Sequence, residues 1–279
     1  MKSYVINLDR AAFRWDWMRG QAEAHGIALT HFSAVDGDRL SDGEIAKHKD
    51  TSFGGYGIGK REIACYLSHR AVWEELAASE DAFAAIFEDD VHFGAGIRDF
   101  LSSADWIPAD ADIVRLETFN MYTEHTRKAA ARAFGRSLHR LRGSHYGLAG
   151  YILRLEAARF LLANISGIGN SIDEVVFSPE SKISGAIVTY QLVPAPVIQN
   201  SRRPRRLRLP ELESGLQSER LAGNPALLSA HLCGLSEIKP RGWRKLWREV
   251  SRPAHRLALW FACKYRLPLD VTYRRVPFA

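Results

Sequence analysis

Short apolar segments alternate with amphipathic segments over the first two thirds of this 279-residue chain. Runs rich in apolar and β-branched residues predict strands at residues 3–8, 29–35, 82–87, 113–116, 148–153 and 186–193. Apolar residues at helical spacing predict helices at residues 14–26, 61–77, 156–162 and 171–177. This alternation through residues 1–197 predicts an α/β fold in which a mainly parallel sheet lies between helices.

The last third of the chain has a different pattern. A main domain over residues 1–200 is predicted to be followed by an arginine-rich linker region, 201–242, and a basic amphipathic helical tail, 243–279, interrupted at Pro253. The tail either lies on an anionic membrane surface or packs on the domain. Within the main domain, the glycine-dense residues 51–59 predict a mobile loop.

The net charge of +6 conceals an uneven distribution. Residues 202–208 contain five arginines, and residues 239–279 contain eleven Lys and Arg against two acids. These segments together carry +14, so the rest of the chain carries −8. A basic region of this strength usually meets phosphate, on a lipid, a nucleic acid or a small substrate.

The cysteines and the N-terminus predict a cytoplasmic protein. Cys65, Cys233 and Cys263 are far apart, which argues against a disulfide framework or a thiolate zinc site and fits a reducing compartment. Neither a stretch of signal-peptide type nor a run of about 18 apolar residues occurs in the sequence.

Three consecutive carboxylates, Glu88, Asp89 and Asp90, follow the predicted strand at residues 82–87. Their mutual repulsion would be relieved by a hard divalent cation such as Mg²⁺ or Mn²⁺. Side chains alternate at a strand end, so Glu88 and Asp90 could share a metal while Asp89 faces elsewhere. The alternative is an acidic turn whose side chains are solvated.

Two further signals are weak individually. Ser68 and His69 are predicted on the polar side of an otherwise apolar helix, where a histidine is more often structural than catalytic. Asp36, in a Val-Asp-Gly turn after a strand, could bind ribose hydroxyls or could simply form the turn.

The order of short motifs is more specific. The sequence runs INLDR, AVDG, GKREIACYLSH, IFEDDV, GLAGYI and SIDE, which resembles glycosyltransferase family 25 over about residues 1–201. The resemblance implies a GT-A-like nucleotide-diphospho-sugar transferase fold and a nucleotide-sugar donor, commonly UDP-galactose. It also implies inversion at the anomeric carbon and a glycan or lipid-linked acceptor at the cell surface, such as the lipopolysaccharide core.

The resemblance also assigns roles to residues. Glu88, Asp89 and Asp90 correspond to the metal and diphosphate motif, with Glu88 and Asp90 as metal ligands for Mn²⁺ or Mg²⁺. The predicted donor-binding residues are Asn7, Asp9, Arg10, Arg14, Asp36, Ser68, His69 and Asp89. Asp173 is favoured as general base over Glu174 and Glu117, although its place also suits an acid in the first turn of a helix.

Three other readings remain open. A metal-dependent phosphohydrolase or nuclease would use the acidic cluster on a phosphodiester, but it typically needs further His or Asp pairs. A non-catalytic module of the same fold would bind a sugar nucleotide or a glycan. A nucleic-acid binder would use the basic segments; the acidic main domain argues against it, and no nucleic-acid partner is expected.

Overall fold

The computed structural model describes residues 1–50, 58–143, 145–179, 181–212 and 270–279. Most of the predicted glycine-rich loop therefore lies outside the described residues. So do most of the predicted linker region and the amphipathic pattern that begins at Trp243.

Twelve strands and seven helices lie in the described residues. The strands are β1 Lys2–Asn7, β2 Thr30–Ser33, β3 Phe83–Glu88, β4 Val91–Phe93, β5 Ile113–Arg115, β6 Tyr122–Thr126, β7 Ala131–Ala133, β8 Arg136–Arg140, β9 Gly150–Arg154, β10 Thr189–Val193, β11 Val197–Gln199 and β12 Val271–Arg275. The helices are α1 Ala12–His25, α2 Asp42–His48, α3 Lys60–Ala78, α4 Ile97–Ser102, α5 Leu155–Asn164, α6 Ile172–Phe177 and α7 Lys182–Ala186.

Eight strands form one mixed, mostly parallel sheet in the order β2-β1-β3-β9-β5-β10-β8-β7. Relative to β1, the strands β2, β3, β5, β10 and β7 run in the same direction, whereas β9 and β8 run in the opposite one. The predicted α/β class is confirmed. The chain reaches β9 from β5 through the short strands β6–β8 and no intervening helix, which allows β9 to return antiparallel between β3 and β5.

Both faces of the central strands are buried. Along β1, Tyr4 belongs to the apolar core beneath α3 and α5, while Val5 belongs to the core on the opposite face, with Met18 of α1. In β3, Ile86 belongs to the first of these cores and Phe87 to the second. The continuous apolar run before the three acids is therefore a strand covered on both sides, and its carboxyl end is held rigidly in the sheet.

The C-terminal end of the chain packs on the domain. β12 pairs antiparallel with β6, and the buried Thr118 hydroxyl donates to the Val276 carbonyl oxygen at 2.6 Å. Residues 271–275 are thus a strand, so the predicted helical tail is wrong for these residues. The described start of the predicted linker, 201–212, forms short 3₁₀ turns that end on the fully buried Leu212. Among the described helices, none combines the length and apolarity that crossing a membrane requires.

Val276→Ala tests this packing. Val276 is 1% exposed, so its truncation should lower the free energy of unfolding by about 1–3 kcal/mol, measured by urea titration. Arg274→Ala, an exposed change in the neighbouring strand, should stay within about 0.5 kcal/mol of wild type. Equal stability of the two variants would show that this strand does not pack in solution.

Candidate active site

Acidic residues meet at one edge of the sheet. β1 and β3 are parallel neighbours with Ile6 opposite Glu88, so both strands end at this edge. β5 ends there as well and is followed by Glu117. In an α/β sheet, the carboxyl ends of strands are the usual place for a ligand.

Asp89 is occupied by contacts within the protein. Its two carboxylate oxygens accept hydrogen bonds from the Asn7 amide at 2.7 Å and the Arg14 guanidinium at 2.8 Å. Asn7 is held in turn by His31, whose Nε2 lies 3.1 Å from its Oδ1. Asp89 thus ties the end of β3 to β1 and α1, and it faces away from Glu88, as the alternation of side chains predicts.

Glu88 faces the opposite way, towards His69 and Gln199. One of its oxygens accepts from the Gln199 amide at 3.1 Å, and the other lies 3.5 Å from His69 Nε2. Burial of the carboxyl, followed by the negative charges of Asp89 and Asp173, raises the pKa of Glu88 to about 7. These surroundings therefore disfavour the charged form of Glu88 unless a cation is nearby.

Asp90 is the acid of the triplet that lacks a complete set of partners. It is 3% exposed, and its Oδ1 has no hydrogen-bond partner. Burial, followed by the charges of Glu88 and Asp89, raises the pKa of Asp90 well above its ordinary value. The Gln199 amide lowers the pKa of both Asp90 and Glu88, so both carboxyls lie within its influence. An unsatisfied buried oxygen beside a second carboxyl fits a divalent metal that takes oxygen ligands.

His69 is buried within the helix–sheet interface. It is 1% exposed, so its predicted place on a polar side of the helix is wrong. Trp73 Nε1 donates to the Tyr151 hydroxyl at 2.8 Å, and that hydroxyl lies 3.0 Å from His69 Nδ1. Burial lowers the pKa of His69 to about 4, so the ring is neutral. We assign the Tyr151 hydroxyl as the donor to His69 Nδ1. The ring proton of His69 is then on Nε2 and points towards Glu88.

Ser68 has a structural role. Its hydroxyl accepts from the Val35 amide at 2.9 Å and donates to the Ala64 carbonyl at 2.7 Å. These bonds join α3 to the chain just before Asp36. Ser68 is buried, so it also does not lie on a polar side of the helix, and it shapes the neighbouring turn rather than facing a ligand.

The predicted donor-binding residues Asp9, Arg10 and Asp36 lie together. They line a cavity of about 320 Å³ with Leu8, Ala34 and Arg39, beyond the ends of β1 and β2. Arg10 forms ion pairs with Asp36 and Asp38. Asn7 and Arg14 are close to Asp9 and Arg10 in the sequence. Their side chains, however, donate hydrogen bonds to Asp89.

Glu117 is buried within the electrostatic influence of Glu88. It is 1% exposed; its Oε1 accepts from the Ala149 amide at 2.9 Å, and its Oε2 has no partner. Burial raises the pKa of Glu117 to about 8, although Arg115, 3.6 Å away, lowers it. Like Asp90, this carboxyl presents an unsatisfied oxygen in a low-dielectric site.

Asp173 lies in the first turn of α6, but its side chain reaches across to another element. Its Oδ2 accepts from the Gly147 amide at 2.7 Å. Gly147 has a φ of +90°, and a Cβ there would lie 2.8 Å from Glu117 Oε1, so only glycine fits. The turn thereby brings Asp173 into the electrostatic surroundings of Glu117 and Glu88. Glu174, the next residue of α6, is half-buried.

Several residues of the site were not predicted. Arg115 stands two positions before Glu117 in a buried strand, so their opposite charges share one face, and this i, i+2 pattern is the signal that was missed. Cys65 and Trp73, which were also missed, lie four residues before and after the predicted His69 and so on the same face of α3. Ligand atoms of Cys65, His69 and Glu88 lie within 4.8 Å of one another.

The geometry so far defines an α/β protein with a cavity of about 320 Å³ beyond the ends of β1 and β2 and with acids at the carboxyl ends of β3 and β5. A family model described as "Glycosyltransferase family 25 (LPS biosynthesis protein)" matches residues 1–176. The chain belongs to this family, and it is a glycosyltransferase, as the resemblance predicted.

Two curated relatives and one solved structure illustrate the similarity. The lacto-N-neotetraose biosynthesis glycosyltransferase LgtB of Neisseria meningitidis serogroup B is 31% identical, over 64% of this chain and 68% of that protein. The lipooligosaccharide biosynthesis protein lex-1 of Haemophilus influenzae is 31% identical, over 70% of this chain and 68% of that protein. The structure of galactosyltransferase LgtC with donor and acceptor sugar analogues superposes with a TM-score of 0.39. The match covers 88% of this chain and 99% of that chain, at 9% sequence identity. This structural likeness is too low to carry a functional conclusion.

The raised carboxyl pKa values predict a pH-dependent stability for the metal-free protein. Between the ordinary glutamate pKa and values of about 7 for Glu88 and 8 for Glu117, the folded state binds more protons than the unfolded state. The free energy of unfolding should therefore fall as pH rises from about 5 to 8. Glu117→Gln should flatten this fall, so that Tm in EDTA drops by at least about 2 °C less than in wild type.

Glu156→Gln is the matched control, because Glu156 is exposed on α5. Differential scanning calorimetry at a series of pH values should show a wild-type slope for it. If Glu117→Gln also keeps the wild-type slope, the Glu117 carboxyl is not protonated in the fold.

Proposed function

We propose that this glycosyltransferase moves a hexose, with galactose the first candidate, from a UDP-sugar to a lipopolysaccharide-type glycan by a metal-dependent, inverting reaction in a GT-A-like fold. The observation that carries the proposal is the buried, incompletely bonded Asp90 beside Glu88 at the end of β3. Family membership and the roles of the relatives in lacto-N-neotetraose and lipooligosaccharide biosynthesis support the substrate classes.

Glu88 and Asp90 are the proposed ligands of Mn²⁺ or Mg²⁺. A divalent ion held there would supply positive charge against the donor diphosphate and its leaving group. His69 orients the Glu88 carboxyl through its Nε2 proton, and Gln199 fixes the other oxygen. Asp89 keeps the strand end in place through Asn7 and Arg14. The donor diphosphate is therefore expected to lie over the end of β3.

The cavity between Asp9, Arg10 and Asp36 is the proposed nucleoside site. Its carboxylates can accept hydrogen bonds from ribose hydroxyls, and it directly follows β1, the neighbour of β3. Ser68 supports this site by holding the Val35–Asp36 turn. A nucleotide bound here would direct its phosphates toward Glu88 and Asp90.

Asp173 is the proposed general base, and Glu117 and Glu174 are the alternatives. Inversion requires a base that takes the proton of the acceptor hydroxyl as this oxygen attacks the anomeric carbon. The carboxylate of Asp173 is fixed by the Gly147 amide and is only half-buried, so it remains accessible to an acceptor hydroxyl. Glu117 is almost fully buried and its pKa is raised to about 8, so it is the poorer proton acceptor near neutral pH.

The reaction is proposed to take place in the cytoplasm, with the acceptor presented at the cytoplasmic face of the inner membrane. The uneven charge of the chain supports this place, because residues 202–208 and 239–279 are strongly basic and anionic lipids attract such segments. Of the predicted tail, 243–279, it is the residues before 270 that are proposed to associate with the membrane.

Asp90→Asn tests the metal site. The change removes the charge of one proposed ligand, so we expect Mn²⁺ affinity to fall at least about tenfold and donor turnover to be lost. Calorimetric titration with Mn²⁺, Mg²⁺ and Zn²⁺ measures the affinity; Zn²⁺ is included because Cys65 and His69 are softer ligands near Glu88. A panel of UDP-, GDP- and CMP-sugars, with Mn²⁺ and then EDTA, identifies the donor.

Asp81→Asn is the control, because Asp81 is exposed near the opposite end of β3. It should bind metal and donor as wild type does. Metal-independent turnover would contradict the metal assignment. Donor binding without transfer or hydrolysis would favour a non-catalytic sugar-nucleotide module.

Asp173→Asn tests the base. Asparagine keeps an oxygen that can accept from the Gly147 amide, so the fold and the donor Kd should be retained while kcat falls by about 10²–10⁴. Glu156→Gln, a change of an exposed acid on α5, should leave kcat within about threefold of wild type. If Asp173→Asn retains kcat, the base assignment is wrong, and the same assay on Glu117→Gln examines the next candidate.

A further inference from the structure

A second cavity, of about 520 Å³, is lined by Arg115, whose guanidinium lies 3.6 Å from the Glu117 carboxyl. Its walls come from the β5–β6 connection, β6, β12 and the residues Arg142, Gly143, His145 and Tyr146. We call it the tyrosine–arginine pocket and define it by Arg115, Tyr122, Arg142, His145, Tyr273 and Arg275.

Two buried polar atoms in this pocket have no partner. Arg115 and His145 are 4% and 6% exposed, and neither Arg115 Nε nor His145 Nε2 makes a hydrogen bond. Leaving a buried donor unsatisfied costs about 1–3 kcal/mol, more for a charged group. Since both residues line the pocket, a polar ligand with oxygen acceptors would satisfy the guanidinium and bond to the imidazole.

The pocket also presents an aromatic surface. Tyr122 is 61% exposed, and its ring stacks on Tyr273 with centroids 5.2 Å apart and planes at 25°. Tyr146 at the rim is 41% exposed. Large exposed aromatic side chains beside directed polar groups are typical of a ligand site, and the apolar C–H face of a pyranose ring suits such a surface.

The charged residues of the pocket favour a negatively charged ligand. Three arginines, Arg115, Arg142 and Arg275, line it against one acid, Glu124. The ion pair of Arg142 with Asp270 is long, 3.9 Å, and both side chains are substantially exposed, so it holds Arg142 only weakly. Arginine forks match phosphate and carboxylate groups in particular.

The pocket is joined directly to the acidic cluster. Gln191, which lines the pocket, donates to the Glu117 carbonyl at 3.0 Å, and Arg115 lies 3.6 Å from the Glu117 carboxyl. Phe119, also in the lining, contacts the turn at Gly147 that holds Asp173. A sugar in the pocket would therefore extend toward the proposed base.

We propose that the tyrosine–arginine pocket is an acceptor subsite that binds a sugar carrying an anionic substituent, a phosphate or a carboxylate. The ring stacks on Tyr122, and the anionic group pairs with Arg142 and Arg115. This inference rests on the proposed transferase function, and it names the chemical class of its acceptor.

Ligand binding to the full chain, saturated with UDP and Mn²⁺, tests the proposal by ligand-observed NMR and calorimetry. The probes are glucose 6-phosphate, methyl α-glucopyranoside and inorganic phosphate. Glucose 6-phosphate should bind at least about tenfold more tightly than either of the others, because it alone makes both kinds of contact. Arg142→Ala and Tyr122→Ala should each weaken its binding by about tenfold.

The controls are Arg132→Ala, which makes the same charge change at an exposed position of β7, and Phe134→Ala, which removes another exposed aromatic ring. Neither should alter glucose 6-phosphate binding. The proposal is overturned if phosphate alone binds as tightly, if UDP competes with glucose 6-phosphate, or if the pocket variants match their controls. If the proposed transferase function itself is wrong, the result is different: wild type would then not bind UDP with Mn²⁺.

Discussion

Burial of several carboxyl groups at one edge of the sheet is the constraint on which the site depends. Glu88, Asp90 and Glu117 all have raised pKa values, and burial is the first cause in each case. Arg115 offsets part of the negative charge of Glu117, and Arg14 does so for Glu88 and Asp90. A fold that places these acids together gains little stability from them without a cation, so the arrangement makes physical sense as a binding site.

The three consecutive acids have different roles because their side chains point in different directions. Asp89 is fully engaged by Asn7 and Arg14 and fixes the backbone, which lets its neighbours remain incompletely bonded without loosening the strand end. The buried line from Trp73 through Tyr151 to His69 holds Glu88 from the opposite side. Rigid supporting contacts of this kind are what keep ligand side chains in place before a ligand arrives.

The central strands and the acidic cluster could be predicted because they follow from strong local patterns. The apolar run of β3 ends abruptly in charge, and α1 ends at Gly26, whose φ of +62° only glycine adopts easily. The direction of β9 could not be predicted, since a strand buried on both faces has the same pattern in either direction. α2 was missed although Ser41 and Glu44 form a capping box, because its seven residues carry no buried face. The short strands β6 and β12 depend on pairing across about 150 residues, which no local pattern records.

The strand β5 explains why two sites of different character lie so close. Arg115 and Glu117 lie two positions apart along one line of chain, so their side chains share a face, and the residue between them, Leu116, is in the apolar core. Glu88, a proposed metal ligand, acts on the pKa of Glu117, and Arg115 lines the tyrosine–arginine pocket. Because β9 and β10 flank β5 in the sheet, the distance between the two sites is set by backbone geometry. A transferase needs its two substrates held at a fixed separation, and a central strand provides that more firmly than a loop.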